Sequence, residues 1–110
     1  MMVFPYSIHW MTVPKGTLPD NIPAQVLIAT SKKKFRHAVD RNRVKRLTRE
    51  CYRLHKSQLY SHLISTDTCI ILSVNYIHNS ILDYHTLYHK FDKIIGQLKR
   101  LLPTPSHNTP

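Results

Sequence analysis

The hydrophobic positions of this chain change period as it runs from strand-like to helix-like segments and back. Residues from Phe4 to Val13 gather Phe, Tyr, Ile, Trp, Thr and Val, side chains that suit a pleated, half-buried surface, and predict a first strand. Pro14-Lys15-Gly16 and Pro19-Asp20-Asn21 follow with turn chemistry. Ala24 to Ser31, centred on Val26, Leu27 and Ile28, predicts a second strand, expected to pair antiparallel with the first across that loop. Lys32 to Asp40 form a basic connector. From about Arg41 the period becomes helical, with Val44, Leu47, Cys51 and Leu54 recurring at helical spacing, and the helix is expected to reach about Tyr60.

Thr68 to Tyr76 is a nearly continuous apolar run, which predicts a central strand covered on both faces. Asn79-Ser80 offers N-cap chemistry for a last helix, whose expected core stripe is Tyr84, Tyr88, Phe91, Ile95, Leu98 and Leu102, ending before Pro103. Residues 103–110 are expected to be a disordered tail. The order strand, strand, helix, strand, helix has no internal repeat and no linker. It predicts one α+β domain over residues 1–102, a small two-layer sandwich of helices on a sheet. The length of 110 residues agrees, being enough for one respectable core and too short for two.

Charge gives this outline a function class. Sixteen Lys and Arg against six Asp and Glu leave a formal net charge of +10, so an anionic partner is expected. A polyphosphate backbone fits best, because each neutralised phosphate releases counterions. An acidic membrane surface is the rival, yet no stretch approaches the roughly 18 apolar residues that span a bilayer. The start, MMVFPYSIHW, carries no secretory signal pattern, and Cys51 and Cys69 form no close pair. Both cysteines are expected as reduced thiols in a cytoplasmic protein.

The charge is also local. Eleven of the sixteen basic residues lie between Lys32 and Lys56, against two acids, Asp40 and Glu50. At about 100° per residue, Asn42, Arg46, Arg49, Arg53 and Lys56 fall within one arc of roughly 80°, opposite Val44, Leu47, Cys51 and Leu54. A solvated helix face normally mixes both signs, whereas this one repels itself along its length. Arg outnumbers Lys there, and its planar fork can grip two phosphate oxygens or stack on a base. Nucleic-acid contact follows from these features. A helix-turn-helix reader of DNA needs a short helix just before the recognition helix, and a strand and connector occupy that place, so folded RNA is the expected partner and DNA is not.

The residues Ser31-Lys32-Lys33, followed by Ala38-Val39-Asp40-Arg41-Asn42-Arg43-Val44-Lys45-Arg46-Leu47-Thr48-Arg49-Glu50, resemble the signature of the bacterial ribonuclease P protein component. The later IILSV strand and amphipathic helix occur in that family's order, and the resemblance runs from about Phe4 to Leu102. It implies a left-handed βαβ crossover like that of the second domain of small-subunit ribosomal protein five. It also implies a division of labour in which a catalytic RNA with Mg²⁺ removes the 5′ leader of precursor tRNA. The protein clamps that RNA with the helix that opens on Arg41-Asn42-Arg43 and holds the leader in a cleft beside the sheet. On this chain the implied RNA-binding residues are Lys32, Lys33, Arg41, Asn42, Arg43, Lys45, Arg46, Arg49 and Arg53. No catalytic residue and no protein-bound metal is implied.

Members of the family it resembles usually begin with a further helix ahead of the first strand, with an aromatic pair that forms one wall of the cleft. Here the sequence starts at about the first strand, so either the start lies upstream or the cleft is incomplete. Trp10 falls where the family's first strand presents an aromatic to that cleft. Base stacking by Trp10 and simple capping of an exposed core are both open readings.

Other constellations are weaker. His85 and His89 stand one helical turn apart with Asp92 beyond, yet no fourth zinc ligand can be named, and eight histidines in the chain make such a pair unremarkable. No glycine loop, carboxylate pair or nucleophile-base motif is present. Two further functions stay open at this point, a ribosomal or assembly RNA-binding module with no enzyme attached, and a basic protein that binds acidic surfaces unspecifically.

Overall fold

A computed structural model describes residues 1–102. The expected tail at 103–110 lies outside the described residues. In chain order the elements are β1 (Met2–Val3), β2 (Tyr6–Val13), a 3-10 turn (Pro19–Asn21), β3 (Ala24–Thr30), α1 (Ala38–Ser65), β4 (Cys69–Tyr76) and α2 (Tyr84–Leu101). The α+β class and the two-layer plan are as the periodicity predicts.

The sheet order is β1-β2-β4-β3. The expected antiparallel pairing of the first two long strands is therefore overturned, because β4 lies between them. It runs antiparallel to β2, with Ile8 opposite Val74, and parallel to β3, with Ile28 opposite Val74. The cause is non-local: β3, α1 and β4 make a βαβ unit, which places β4 against β3 and leaves its other edge for β2. The first strand is also split, since β1 folds back on β2 with Val3 opposite Tyr6.

Central position for β4 is as expected, but cover on both faces is not. Ile70, Leu72, Val74 and Tyr76 are buried, while Cys69, Ile71, Ser73 and Asn75 alternate with them and are only partly buried. The register extends each face across the sheet. One face carries Tyr6, Ile8, Ala24 and the buried residues of β4, and forms the core beneath the helices. On the other, Met11, Ile71 and Gln25 make one row, His9, Ser73 and Leu27 the next, and Ser7, Asn75 and Ala29 the last. Met11 and Leu27 on this side are 59% and 54% exposed. Among the described residues nothing covers this face.

Both helices depart from their predicted bounds. α1 starts at Ala38, three residues early, and runs past Tyr60 to Ser65, 28 residues and about 42 Å. Its buried residues include Val44, Thr48, Cys51, Tyr52, His55 and Leu59, whereas Leu54, expected in the stripe, is 42% exposed. Thr48 and His55 take the inward positions because each has a partner there: Thr48 shares a hydrogen bond with the Tyr6 hydroxyl, and His55 Nδ1 donates to the Cys51 carbonyl at 2.8 Å. The N-cap position of α2 is Asp83 rather than Asn79 or Ser80, with no side-chain capping hydrogen bond. Ser80 instead accepts from the Tyr76 hydroxyl through its carbonyl at 2.8 Å, and the same hydroxyl accepts from Leu82 N–H at 3.0 Å, which holds the approach to the helix against β4. In α2, Leu87 and Ile94 join Phe91, Ile95 and Leu98 in the core, while Tyr88, expected there, lies at its edge with its ring 4.4 Å from that of His55.

Candidate nucleic-acid interface

α1 is anchored from below and charged from above. Its buried side is held by Val44, Cys51, Leu59 and Leu63, all fully buried, and by the hydroxyl contact of Tyr6 with Thr48 at 2.8 Å. Asn42, Arg43, Arg46, Arg49, Arg53 and Lys56 are all exposed, so the predicted arc is a continuous outer surface. Lys32 and Lys33 are exposed in the turn after β3, where Lys34 and Phe35 N–H groups both donate to the Ser31 carbonyl at 3.1 Å. Arg41 and Lys45 are half-buried.

The nine RNA-binding residues expected from the sequence are not equivalent. Arg41 Nη1 donates to the carbonyls of Phe35 and Arg36 at 2.8 and 3.1 Å, so part of its guanidinium folds the turn onto the helix start. Arg53 is engaged with Glu50 through Nη2 at 2.6 Å and Nε at 3.0 Å. That bidentate contact holds the Glu50 carboxyl below its usual range and raises Arg53 in turn. Among the described residues Lys32, Lys33, Arg43, Lys45, Arg46 and Arg49 enter no ion pair. Lys56, at the end of the arc, lies 5.7 Å from the centre of the Tyr60 ring, and Tyr60 donates to the Ala24 carbonyl at 3.2 Å.

The direction of this charge along α1 carries information. A helix N-terminus bears a partial positive charge that disfavours cations nearby. Here Arg41, Arg43 and Lys45 crowd the first two turns with only Asp40 as acid, and the last turn carries no Lys or Arg. The distribution is opposite to what helix stability favours. It is what a surface for an anion needs, because the dipole and the cations then add.

Trp10 alternates with Tyr6 and Ile8 on the helix-covered face and packs, partly buried, against the core. It does not share a face with His9 and Met11, which lead the open side of the sheet. His85 and His89 are exposed, and Asp92 is directed elsewhere, 3.8 Å from His55 Nε2. Among the described residues no group of three His, Cys, Asp or Glu side chains would hold a metal, and no helix is long and apolar enough to cross a membrane. Both cysteines are free, Cys51 buried and Cys69 partly so. Sequence reasoning missed the polar patch on the open face, Ser7, Ser73 and Asn75, because only the register brings these residues together.

Comparison with known proteins places the chain in one family. The model of the family Ribonuclease P matches residues 8–99. A ribonuclease P protein component of Porphyromonas gingivalis is 32% identical over 81 residues, covering 74% of this chain and 59% of the relative. That of Methylococcus capsulatus is 59% identical over 54 residues, 48% of this chain and 41% of the relative. That of Chlorobium phaeobacteroides is 62% identical over 37 residues, 34% of this chain and 25% of the relative. The matched stretch thus spans less than two thirds of the length of these relatives. No solved structure matches the chain. With its basic helix seated on a mixed sheet and the family model matched over most of its length, the chain belongs to the ribonuclease P protein family.

Proposed function

We propose that this chain acts in the cytoplasm as the protein subunit of ribonuclease P, clamping the catalytic RNA with the outer face of α1 while the open face of the sheet receives the 5′ leader of precursor tRNA. The observation that carries the reading is the row of exposed cations on α1, which faces away from the buried Val44, Cys51 and Leu59 and begins at the positive end of the helix dipole. Lys32, Lys33, Arg43, Arg46 and Arg49 supply unpaired charge to phosphates, and Asn42 adds a hydrogen-bonding amide among them. Arg41 and Lys45 sit at the inner margin of the same surface.

Bond chemistry belongs to the RNA in this reading. The protein lowers the cost of bringing two polyanions together, which is the part of the reaction most sensitive to salt and divalent ions. The Mg²⁺ of the reaction is assigned to the RNA. Partly buried packing against the core supports a structural role for Trp10 rather than base stacking.

The test is multiple-turnover cleavage of precursor tRNA by the catalytic RNA at low Mg²⁺, with and without the chain. Stimulation is expected. An unchanged rate in the presence of bound protein would reject the subunit reading and leave an RNA-binding module with no enzyme attached.

A further inference from the structure

The outer side of α2 carries chemistry that neither the core nor the arc on α1 uses. Helical periodicity puts Tyr84 and Tyr88 in the core stripe, yet Tyr88 is 36% exposed and Tyr84 only half-buried. Their ring centres lie 6.0 Å apart, and each ring has a histidine beside it. His85 stands edge-on to Tyr84 at 6.1 Å and His89 edge-on to Tyr88 at 6.0 Å, and both histidines are exposed. Beneath them the buried His55 ring lies 4.4 Å from that of Tyr88, so α1 braces one side of the group. Rings gathered in this way offer stacking to any base, since every base has a π-face.

The group adjoins the basic arc. Desolvation raises the Tyr84 phenol, Cys51 and Glu50 add to this and Arg53 opposes it, so Tyr84 lies against the turn of α1 that carries the Glu50–Arg53 pair. Charge continues along α2, where Lys90, Lys93, Lys99 and Arg100 face a single acid, Asp92, whose carboxylate is turned toward His55 Nε2 at 3.8 Å. The helix dipole accounts for Lys99 and Arg100 in the last turn, and not for Lys90 and Lys93. Gly96 belongs to the same face. At about 100° per residue it falls between His85 and His89 around the axis, about 10 Å beyond His89 along it. Glycine in a helix interior is less stable than alanine, because it loses more backbone freedom on folding. Packing does not call for it here: outside its own stretch of helix, no atom among the described residues comes within 4 Å of the place a Cβ would take. A missing side chain that no neighbour needs leaves room for another molecule's backbone to approach.

We infer that this face of α2 is a second RNA-contact surface, on which Tyr84 and Tyr88 stack unpaired bases while the strand's backbone passes over Gly96 between Lys93 and Arg100. The inference rests on the proposed grip of α1 on RNA, which it extends past Arg53 onto the second helix. Charge selects the occupant. The rings are set among cations and continue the arc, which suits a polyanion, whereas a second copy of the chain would bring like charges together.

The test is binding of the catalytic RNA of ribonuclease P to the full chain, read by filter retention at fixed salt, with an RNA duplex as control and melting of each variant followed by circular dichroism. Tyr88→Leu keeps an apolar side chain over His55 and removes the ring. It is expected to bind the catalytic RNA about fivefold or more weakly, the loss of one stacked base, while Tyr88→Trp binds at least as well as the unaltered chain. Affinity for the duplex, which offers no unpaired base, stays the same in both. Gly96→Ala is expected to melt at a higher temperature and yet bind the catalytic RNA several-fold more weakly, a combination that damage to the fold does not produce. Unchanged affinity in both Tyr88→Leu and Gly96→Ala overturns the inference, as does an equal loss for duplex and catalytic RNA in Tyr88→Leu. A dimer of the RNA-free chain that Gly96→Ala dissolves would also overturn it, by giving the face to a second copy. A chain whose variants lose RNA affinity as expected, but which fails unaltered to stimulate cleavage, would lose the subunit reading and keep this surface. Stimulation by the unaltered chain, with full RNA affinity in both variants, would do the reverse.

Discussion

The hydroxyl of Tyr6 and the hydroxyl of Thr48 lie 2.8 Å apart in a fully buried site, tying the second strand to the underside of the basic helix across 42 positions of sequence. The Tyr6 ring also meets Tyr76 and Phe91 edge-on, with centres 5.5 and 5.2 Å away, so it is fixed from three sides. Burial pushes its phenol well above the usual range and keeps it neutral. Tyr6→Phe retains the packing and leaves the Thr48 hydroxyl with one partner fewer. A loss of about 1–2 kcal/mol in chemical denaturation is expected, with RNA affinity unchanged once folded.

Arg41 and Arg43 are neighbours with different duties. Arg41 donates to two carbonyls of the turn before the helix, while Arg43 enters no ion pair among the described residues. Arg41→Ala is therefore expected to lower stability by about 1–2 kcal/mol as well as to weaken RNA binding. Arg43→Ala should leave the melting temperature nearly unchanged and lower the slope of log affinity against log salt by about one. Equal melting losses in the two variants would contradict the assignment.

How far the sequence disclosed this arrangement depends on the range of the interactions involved. The helical period of Val44 and Cys51 and the one-sided cations were legible because both are set by residues within a few turns of each other. The order of the strands was not, since the placement of β4 between β2 and β3 depends on a crossover that no local pattern encodes. Apolar periodicity also placed Leu54 inside and overlooked Thr48 and His55. Tyr6 meets the Thr48 hydroxyl and the Cys51 carbonyl accepts from His55 Nδ1, and such partners appear only when the chain is folded. Asn75 was hidden for the same reason, as part of a nearly continuous apolar run.

Among the described residues Glu50 is the one acid paired with a cation of the arc, and it occupies Arg53 at 2.6 Å. The pair is solvent-exposed, so its contribution to stability is small. Glu50→Gln removes a charge that repels phosphate and frees the Arg53 fork. RNA affinity is expected to rise a few-fold at low salt, with the gain shrinking as salt is added. Weaker binding by the variant would mean that Glu50 serves to hold Arg53 in its binding geometry.

Trp10 lies on the covered face with Tyr6 and Ile8, partly buried against the core. Trp10→Ala removes that contact and is expected to cost about 1–3 kcal/mol, less than for a fully buried tryptophan. The ratio of affinities for precursor and mature tRNA should stay the same. A fall in that ratio, at temperatures where the variant is folded, would restore a stacking role.

Cys51 makes the helix-to-core junction sensitive to alkali. The thiol is fully buried, and burial pushes it up to about 11 from an ordinary value of 9.0. In the unfolded chain the thiol loses its proton near pH 9, whereas in the folded chain it keeps it until about pH 11. Between those values the unfolded state binds fewer protons, so unfolding becomes more favourable as pH rises, and the stabilisation present below pH 9 is progressively lost. Melting followed by circular dichroism from pH 8 upward should show this decline, and Cys51→Ala, although less stable at neutral pH, should show a shallower one. The same burial predicts that iodoacetamide modifies the partly exposed Cys69 of the native protein well before Cys51. An equal slope in the alanine variant would assign the alkaline loss to the buried phenols of Tyr6 and Tyr52, whose protons are held by burial in the same way.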